Sequence, residues 1–133
     1  MSSEPDSALP ASLRVFLHTC IDSIGQVELL LLLRGSLRWR TVAEIATELG
    51  ISTAVARRDV ETLAARGLLE VRVGDETAYK YAPKSDDLAR YCDELAQFYI
   101  TSRQAVLSFV ATESRLSIKR FADAFKLRGG GDT

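Results

Sequence analysis

Residues 41–67 read TVAEIATELGISTAVARRDVETLAARG and carry the start and stop signals of two consecutive helices. Thr41 and Glu44 form a capping box, in which the threonine oxygen accepts a backbone hydrogen bond and the glutamate reaches back to the threonine amide. The helix that begins there ends at Gly50, and a second start signal follows shortly afterwards. Two helices joined by a tight turn with glycine are typical of the helix-turn-helix unit.

The second helix of the unit is predicted to begin at Ser52 or Thr53 and to end near Arg66, with Gly67 as a left-handed terminator. Three apolar positions at helical spacing are expected to face inward, namely Ala56, Val60 and Leu63. After this helix the apolar period changes to two over residues 69–73 and 77–82, on either side of the short loop Gly74-Asp75-Glu76. These residues predict a β-hairpin wing.

Two further helices are predicted before the unit, over about 11–22 and 26–34. The second contains five consecutive leucines, Leu29–Leu33, and Gly35 is predicted to end it. Because this helix is apolar nearly all round, we expect it at the centre of the fold.

From Asp86 onward the helical period returns, with an apolar stripe at three- and four-residue steps over about three heptads. The stripe consists of Leu88, Tyr91, Leu95, Phe98, Ser102, Ala105 and Phe109. Little domain is left to cover it, so we expect a second copy to bury it in a homodimer. The small Ser102 and Ala105 predict the closest helix approach. The alternative is that the stripe folds back onto its own chain.

The expected fold is mainly α, a winged helix-turn-helix core with a small β-hairpin wing, an N-terminal helix and long C-terminal dimerisation helices. Residues 1–10 are expected to be a flexible N-terminus and 129–133 a flexible tail. Between them lie the winged domain, 11–83, and a helical dimerisation region, 84–128.

Composition argues against an enzyme. Lys and Arg number 17 and Asp and Glu 18, so net charge favours no particular partner, and His18, Cys20 and Cys92 are too few for a metal site. No nucleophile–base pair or phosphate loop is visible, and we expect no cofactor and no metal. We also expect both cysteines to be structural, since Asp93 and Glu94 oppose a thiolate at Cys92.

The first ten residues contain Glu4 and Asp6 and no basic residue, which does not fit a secretory signal. The leucine run falls well short of the roughly 20 apolar residues of a membrane span. We therefore expect a cytoplasmic protein with no membrane partner.

The segments TVAEIA (41–46), LGIS (49–52) and LAARGLL (63–69) resemble the winged helix-turn-helix core of bacterial MarR-like regulators, over about residues 26–82. A hairpin followed by a long C-terminal helix is also similar to PadR-like regulators, which pair through that helix. The resemblance implies a dimeric transcription factor whose second core helix, about 52–66, enters the major groove of double-stranded DNA.

Two features depart from the resemblance. Asp59 stands where such regulators often carry an apolar residue, and the loop 74–76 is acidic where a DNA-touching wing is usually basic. Residues 34–83 contain eight Lys or Arg against seven Asp or Glu, which predicts modest DNA affinity from electrostatics alone. The acidic wing and the near-zero net charge favour the alternative hypothesis, a winged-helix adaptor that binds another regulator or a complex as its protein partner.

The candidate base-reading residues lie on the outward face of the second helix, near its start: Thr53, Ala54, Arg57 and Arg58. Arginine pairs bidentately with guanine, and small side chains permit close approach. The alternative is a solvated face with an ion pair to Glu61.

The candidate phosphate-binding residues are Arg38 and Arg40 beside the capping box, and Arg72 and Lys80 on the wing strands. For each of them a solvated role is an equal alternative. Trp39 is expected to cover the edge of the core. A basic segment at 115–128 (Arg115, Lys119, Arg120, Lys126 and Arg128) is open to three interpretations: a solvated face, a second DNA contact or the rim of a partner site.

Overall fold

Six helices and a three-stranded antiparallel sheet make up residues 9–113, the part of the chain that the computed structural model describes. The elements in chain order are α1 (Ala11–Cys20), α2 (Ile24–Ser36), β1 (Arg40–Thr41), α3 (Val42–Leu49), α4 (Thr53–Ala65), β2 (Leu69–Arg72), β3 (Ala78–Tyr81), α5 (Asp86–Thr101) and α6 (103–113). The predicted mainly helical fold with a helix-turn-helix and a wing is confirmed.

The helix-turn-helix is made by α3 and α4, and its local signals act as predicted. Thr41 Oγ1 accepts a hydrogen bond from the Glu44 amide at 3.2 Å, and Glu44 Oε1 accepts one from the Thr41 amide at 2.9 Å. Gly50 ends α3 in the left-handed conformation with φ of 69°, and Ser52 caps α4. Gly67 follows α4 with φ of 84°.

The sheet contains one strand that the sequence pattern missed. The predicted hairpin is β2–β3, and β1 adds to its other side in the order β1-β3-β2. Arg40 lies opposite Tyr79, and Thr41 lies opposite Ala78. A two-residue strand has no periodicity of its own, because only its pairing with β3 defines it.

The central position of α2 is confirmed, since Leu29, Leu30 and Leu33 are fully buried and α2 packs against α4 and β3. The predicted end at Gly35 is wrong. The helix runs on to Ser36, and the Leu37 amide closes the last turn on the Leu33 carbonyl at 3.1 Å. Leu37, not Gly35, takes the left-handed conformation, with φ of 53°.

The stripe of α5 is interrupted and covered, contrary to the expectation. Ser102 breaks the helix with φ of −140° and ψ of 50°, and α6 begins after it. Leu95 and Ala105 are buried, and the Phe16 ring of α1 lies 5.7 Å from the Tyr91 ring. Part of the stripe therefore packs against α1 of its own chain, while its other side chains are half-buried, so the premise that little of the chain covers it is wrong for that part.

Several expectations fall on residues outside 9–113: most of the N-terminal segment 1–10, the basic segment 115–128 with its predicted helix, and the tail 129–133. Within residues 9–113, no single helix is long and apolar enough to cross a membrane. Only α1 and α2 taken together reach that length, and they meet at a bend of 103°.

Two exposed glycines test the position of the α2 terminus. A β-carbon at Gly35 or Gly50 would meet no atom within 4 Å, but Gly50 has φ of 69° whereas Gly35 is helical. Gly35→Ala should therefore raise the free energy of unfolding by about 1 kcal/mol. The matched Gly50→Ala should lower it by about 1–2 kcal/mol. Urea unfolding measures both, and a destabilising Gly35→Ala would place the helix end at Gly35 after all.

Candidate nucleic-acid interface

The outward face of α4 brings four sequence-predicted residues together. Thr53, Ala54, Arg57 and Arg58 are all exposed, and they occupy the first half of the helix. The opposite face is buried against α2, α3 and β2 through Ala56, Val60 and Leu63. Because burial fixes the inner face, both arginines extend into solvent, Arg57 towards the wing and Arg58 beside Asp59. The ion pair of Arg58 is with Asp59, 3.7 Å away, instead of with Glu61.

Trp39 organises the cations of the wing, a role that its sequence position did not reveal. Arg72 lies opposite Ala78 in the β2–β3 ladder, so Arg72 and Lys80 share one face of the sheet. The Arg72 guanidinium carbon lies 4.6 Å from the Trp39 ring centroid, and Lys80 Nζ lies 5.8 Å from it. Both cations thus rest on one aromatic ring, an interaction worth about 0.5–1 kcal/mol at exposed sites. We call Trp39, Arg72 and Lys80 the tryptophan face.

Arg40 does not join this surface. Its side chain is only 4% exposed and pairs with Glu48 of α3. The alternation of side chains explains the difference, since Arg40 lies opposite the buried Tyr79 and points to the core side of the sheet. Arg38, two residues earlier, is exposed. Of the two arginines that were predicted to bind phosphate here, Arg40 is therefore buried and Arg38 is exposed.

A groove of about 560 Å³ separates α4 from the wing. Arg57 contributes to its wall together with the carboxylates of Glu61, Asp75 and Glu76. Burial raises the pKa of Tyr79, which also lines the groove, and Glu61 raises it further, so its phenol is neutral at pH 7. Asp75 and Glu76 of the wing tip therefore place negative charge beside the side of α4 that carries Arg57.

The remaining reactive side chains are engaged within the fold. Cys92 is buried, and burial raises the pKa of its thiol to about 11. Cys20 is half-buried, and His18 Nδ1 lies 2.5 Å from Glu113 Oε1. Within residues 9–113, no group of three or more His, Cys, Asp and Glu side chains is close enough to hold a metal ion.

No protein-family model matches this chain, and no curated protein sequence matches it. Solved structures do. The homodimeric winged helix-turn-helix DNA-binding domain of Mb0332 from Mycobacterium bovis, a possible ArsR-family transcriptional regulator, has a TM-score of 0.51 at 23% identity, over 78% of this chain and 90% of that chain.

Two further solved structures are similar. A mutant MarR from Escherichia coli in complex with operator DNA has a TM-score of 0.52 at 14% identity, over 86% of this chain and 82% of that chain. BpsR from Bordetella bronchiseptica, whose DNA binding is regulated by 6-hydroxynicotinic acid, has a TM-score of 0.51 at 22% identity, over 92% and 86%. The chain has a winged helix-turn-helix fold similar to that of these regulators, and the MarR-like fold that the sequence predicted is confirmed.

The raised pKa of Cys92 predicts an inert thiol. In a Cys20→Ser variant, which keeps only Cys92, iodoacetamide should react at least about 100-fold more slowly with the native chain than with the chain unfolded in guanidinium, because alkylation needs an accessible thiolate. Mass spectrometry of timed samples at pH 7.5 measures both rates. The matched Cys92→Ser variant reports the half-buried Cys20. Equal native and unfolded rates at Cys92 would contradict its structural role.

Proposed function

We propose that the chain is a dimeric, sequence-specific DNA-binding transcriptional regulator with α4 as the helix that enters the major groove. The observation that carries the proposal is the exposed face of α4, where Thr53, Ala54, Arg57 and Arg58 stand together while the opposite face is buried. The similarity of the chain's fold to a DNA-binding domain and to an operator-bound MarR supports the same function.

Each residue of that face has a role in the proposal. Arg57 and Arg58 donate paired hydrogen bonds to guanine O6 and N7, the base contact to which the guanidinium fork is best suited. Thr53 and Ala54 are small and precede them on the helix, so they let the backbone approach the base edges. Arg58 stays close to Asp59, at 3.7 Å, which limits the directions in which its guanidinium points.

Phosphate contacts come from the sheet instead of the wing tip. Arg72 and Lys80 of the tryptophan face, with the exposed Arg38, supply cations, whereas Asp75 and Glu76 at the tip disfavour phosphate. The logarithm of the affinity falls by about 0.9 per neutralised phosphate for each tenfold rise in salt. With so few cations, we expect a shallow salt dependence.

We propose that the dimer interface is formed by side chains other than those of the apolar stripe predicted from the sequence. Leu95 and Ala105 are already buried within one chain, and the other stripe residues are half-buried. Two large apolar side chains of these helices remain in solvent, Val15 of α1 at 62% and Ile100 of α5 at 79% exposed. A second copy that covers them places two α4 helices at a fixed separation, with half-sites about 10 bp apart or a multiple of that.

A protein-interaction adaptor is the second candidate function. The observation that favours it is the wing itself, where Val73 is 82% exposed beside the acidic Asp75 and Glu76. An apolar and acidic tip suits a basic protein surface better than a phosphate backbone. Failure of the chain to bind any duplex would favour this candidate.

Substitution of the two recognition-helix arginines tests DNA binding. Arg57→Ala/Arg58→Ala should weaken binding to a duplex selected from a random pool by at least about tenfold, because each bidentate base contact is worth about 1–3 kcal/mol. Fluorescence anisotropy at two salt concentrations measures the affinity. Lys84→Ala/Arg90→Ala removes the same charge from two exposed positions, one just before α5 and one in its second turn, and is the matched control. Equal losses in both variants would leave only a non-specific charge effect and contradict the assignment of α4.

Sedimentation tests the dimer. The wild type should sediment with twice the mass of one chain at micromolar concentration, and Val15→Asp/Ile100→Asp should shift it to one chain with an unchanged helical circular dichroism spectrum. Both side chains are exposed in the single chain, so charge there disturbs only an interface. Leu95→Asp would not discriminate, since it also charges the core. A wild-type mass of one chain would overturn the dimer.

A further inference from the structure

A buried carboxylate on the inner face of α4 is the least expected side chain of the core. Asp59 is only 3% exposed, yet it lies between Arg58 of the DNA-facing surface and the buried Val60. Its Oδ1 accepts a hydrogen bond from Gln26 Nε2 of α2 at 3.2 Å. A carboxylate is costly to bury unless it is paired and hydrogen-bonded, so this position is held by specific partners.

Asp59 has two more compensating neighbours besides Gln26. A β-carbon placed at Gly25 would be 3.8 Å from Asp59 Oδ2, so the carboxylate lies against the first turn of α2. The N-terminal end of a helix carries a partial positive charge that stabilises a nearby anion. Arg58 Nε lies 3.7 Å from Oδ1 on the solvent side. The carboxylate thus has an amide, a helix terminus and a cation around it.

Both polar atoms of the Gln26 side-chain amide are hydrogen-bonded. Its Oε1 accepts a hydrogen bond from the Asp22 amide at 2.8 Å, while Nε2 donates to Asp59. Its own backbone amide donates to Ser23 Oγ at 3.2 Å, within the cap of α2. The connection between α1 and α2 (residues 21–23) therefore fixes the position of the Gln26 side-chain amide. It thereby also fixes the point at which α4 contacts that amide through Asp59.

A second set of hydrogen bonds joins the connection between α1 and α2 to the end of α4. Arg66, directly after α4, donates from Nη1 to the Cys20 carbonyl at 2.8 Å and from Nη2 to Asp22 at 3.1 Å. Asp59 and Arg66 are about 10 Å apart along the helix at 1.5 Å per residue. Two separated sets of hydrogen bonds fix both the direction of the α4 axis and its rotation about that axis.

We propose that Gln26 and Asp59, with Arg66, set the rotation of α4 and are positioning residues for base discrimination by Arg57 and Arg58. The inference rests on the DNA-binding function proposed above. A rotation of about 20° would move a side-chain tip 5–6 Å from the helix axis by about 2 Å. Bidentate hydrogen bonds do not survive such a displacement, whereas a flexible cation still reaches phosphate.

The test measures discrimination, defined as the ratio of the dissociation constant for a random duplex to that for a selected duplex. Gln26→Leu/Asp59→Leu replaces the pair by apolar side chains, and its ratio should fall by about tenfold with the random-duplex affinity nearly unchanged. Asp59→Asn keeps an oxygen acceptor for Gln26 and should retain most of the wild-type ratio. Arg66→Ala removes the second set of hydrogen bonds at a partly exposed position and should also lower the ratio.

A purely structural role would not change this ratio, because a smaller folded fraction raises the apparent dissociation constants for both duplexes by the same factor. Leu13→Ala in the buried face of α1 is the matched destabilised control and should keep the wild-type ratio. The inference would be overturned, and the proposed function left intact, if Arg66→Ala and Gln26→Leu/Asp59→Leu both keep the wild-type ratio. If the double variant does not fold, a wild-type ratio in Arg66→Ala alone would overturn it. A wild-type ratio of one would overturn the proposed function and the inference with it.

Discussion

Burial of the leucine run of α2 is the constraint on which the rest of the structure depends. Leu29, Leu30 and Leu33 are fully buried, and each contributes about 1.5–3 kcal/mol of transfer free energy. A helix that is apolar nearly all round must have neighbours on most sides, and α4 and β3 are two of them. Once α4 packs its inner face onto α2, its other face is left in solvent. The exposed surface of α4 is therefore a consequence of what α2 buries.

The elements that the sequence predicted well are those with local causes. The capping box at Thr41 and Glu44 and the left-handed glycines at 50 and 67 depend on atoms within a few residues, so the helix-turn-helix could be derived from the chain alone. Strand β1 and the inward turn of Arg40 both depend on pairing with β3, which lies far along the chain. No local pattern encodes such a partner, and these two features were missed for that reason.

The stripe of α5 shows the same limit at the level of packing. Periodicity identified side chains that require burial, such as Leu95, but it did not say what would bury them. Helix α1 returns along α5, as the Phe16–Tyr91 contact shows, and it covers much of the stripe within one chain. Evidence for a second copy must therefore come from side chains that the single chain leaves in water. Val15 and Ile100 are such side chains, and neither was part of the stripe.

The charge arrangement connects the near-neutral winged domain with the proposed role of the buried pair. Non-specific DNA affinity grows with the number of neutralised phosphates, and the acidic wing tip and the internal pairing of Arg40 both keep that number small. In the proposed complex, base contacts then make up a larger share of the total binding free energy. Such contacts depend on the orientation of α4 more steeply than phosphate contacts do. A weakly charged domain therefore gains more from a rigidly held recognition helix than a strongly basic one, which gives a physical reason to retain a costly carboxylate at Asp59.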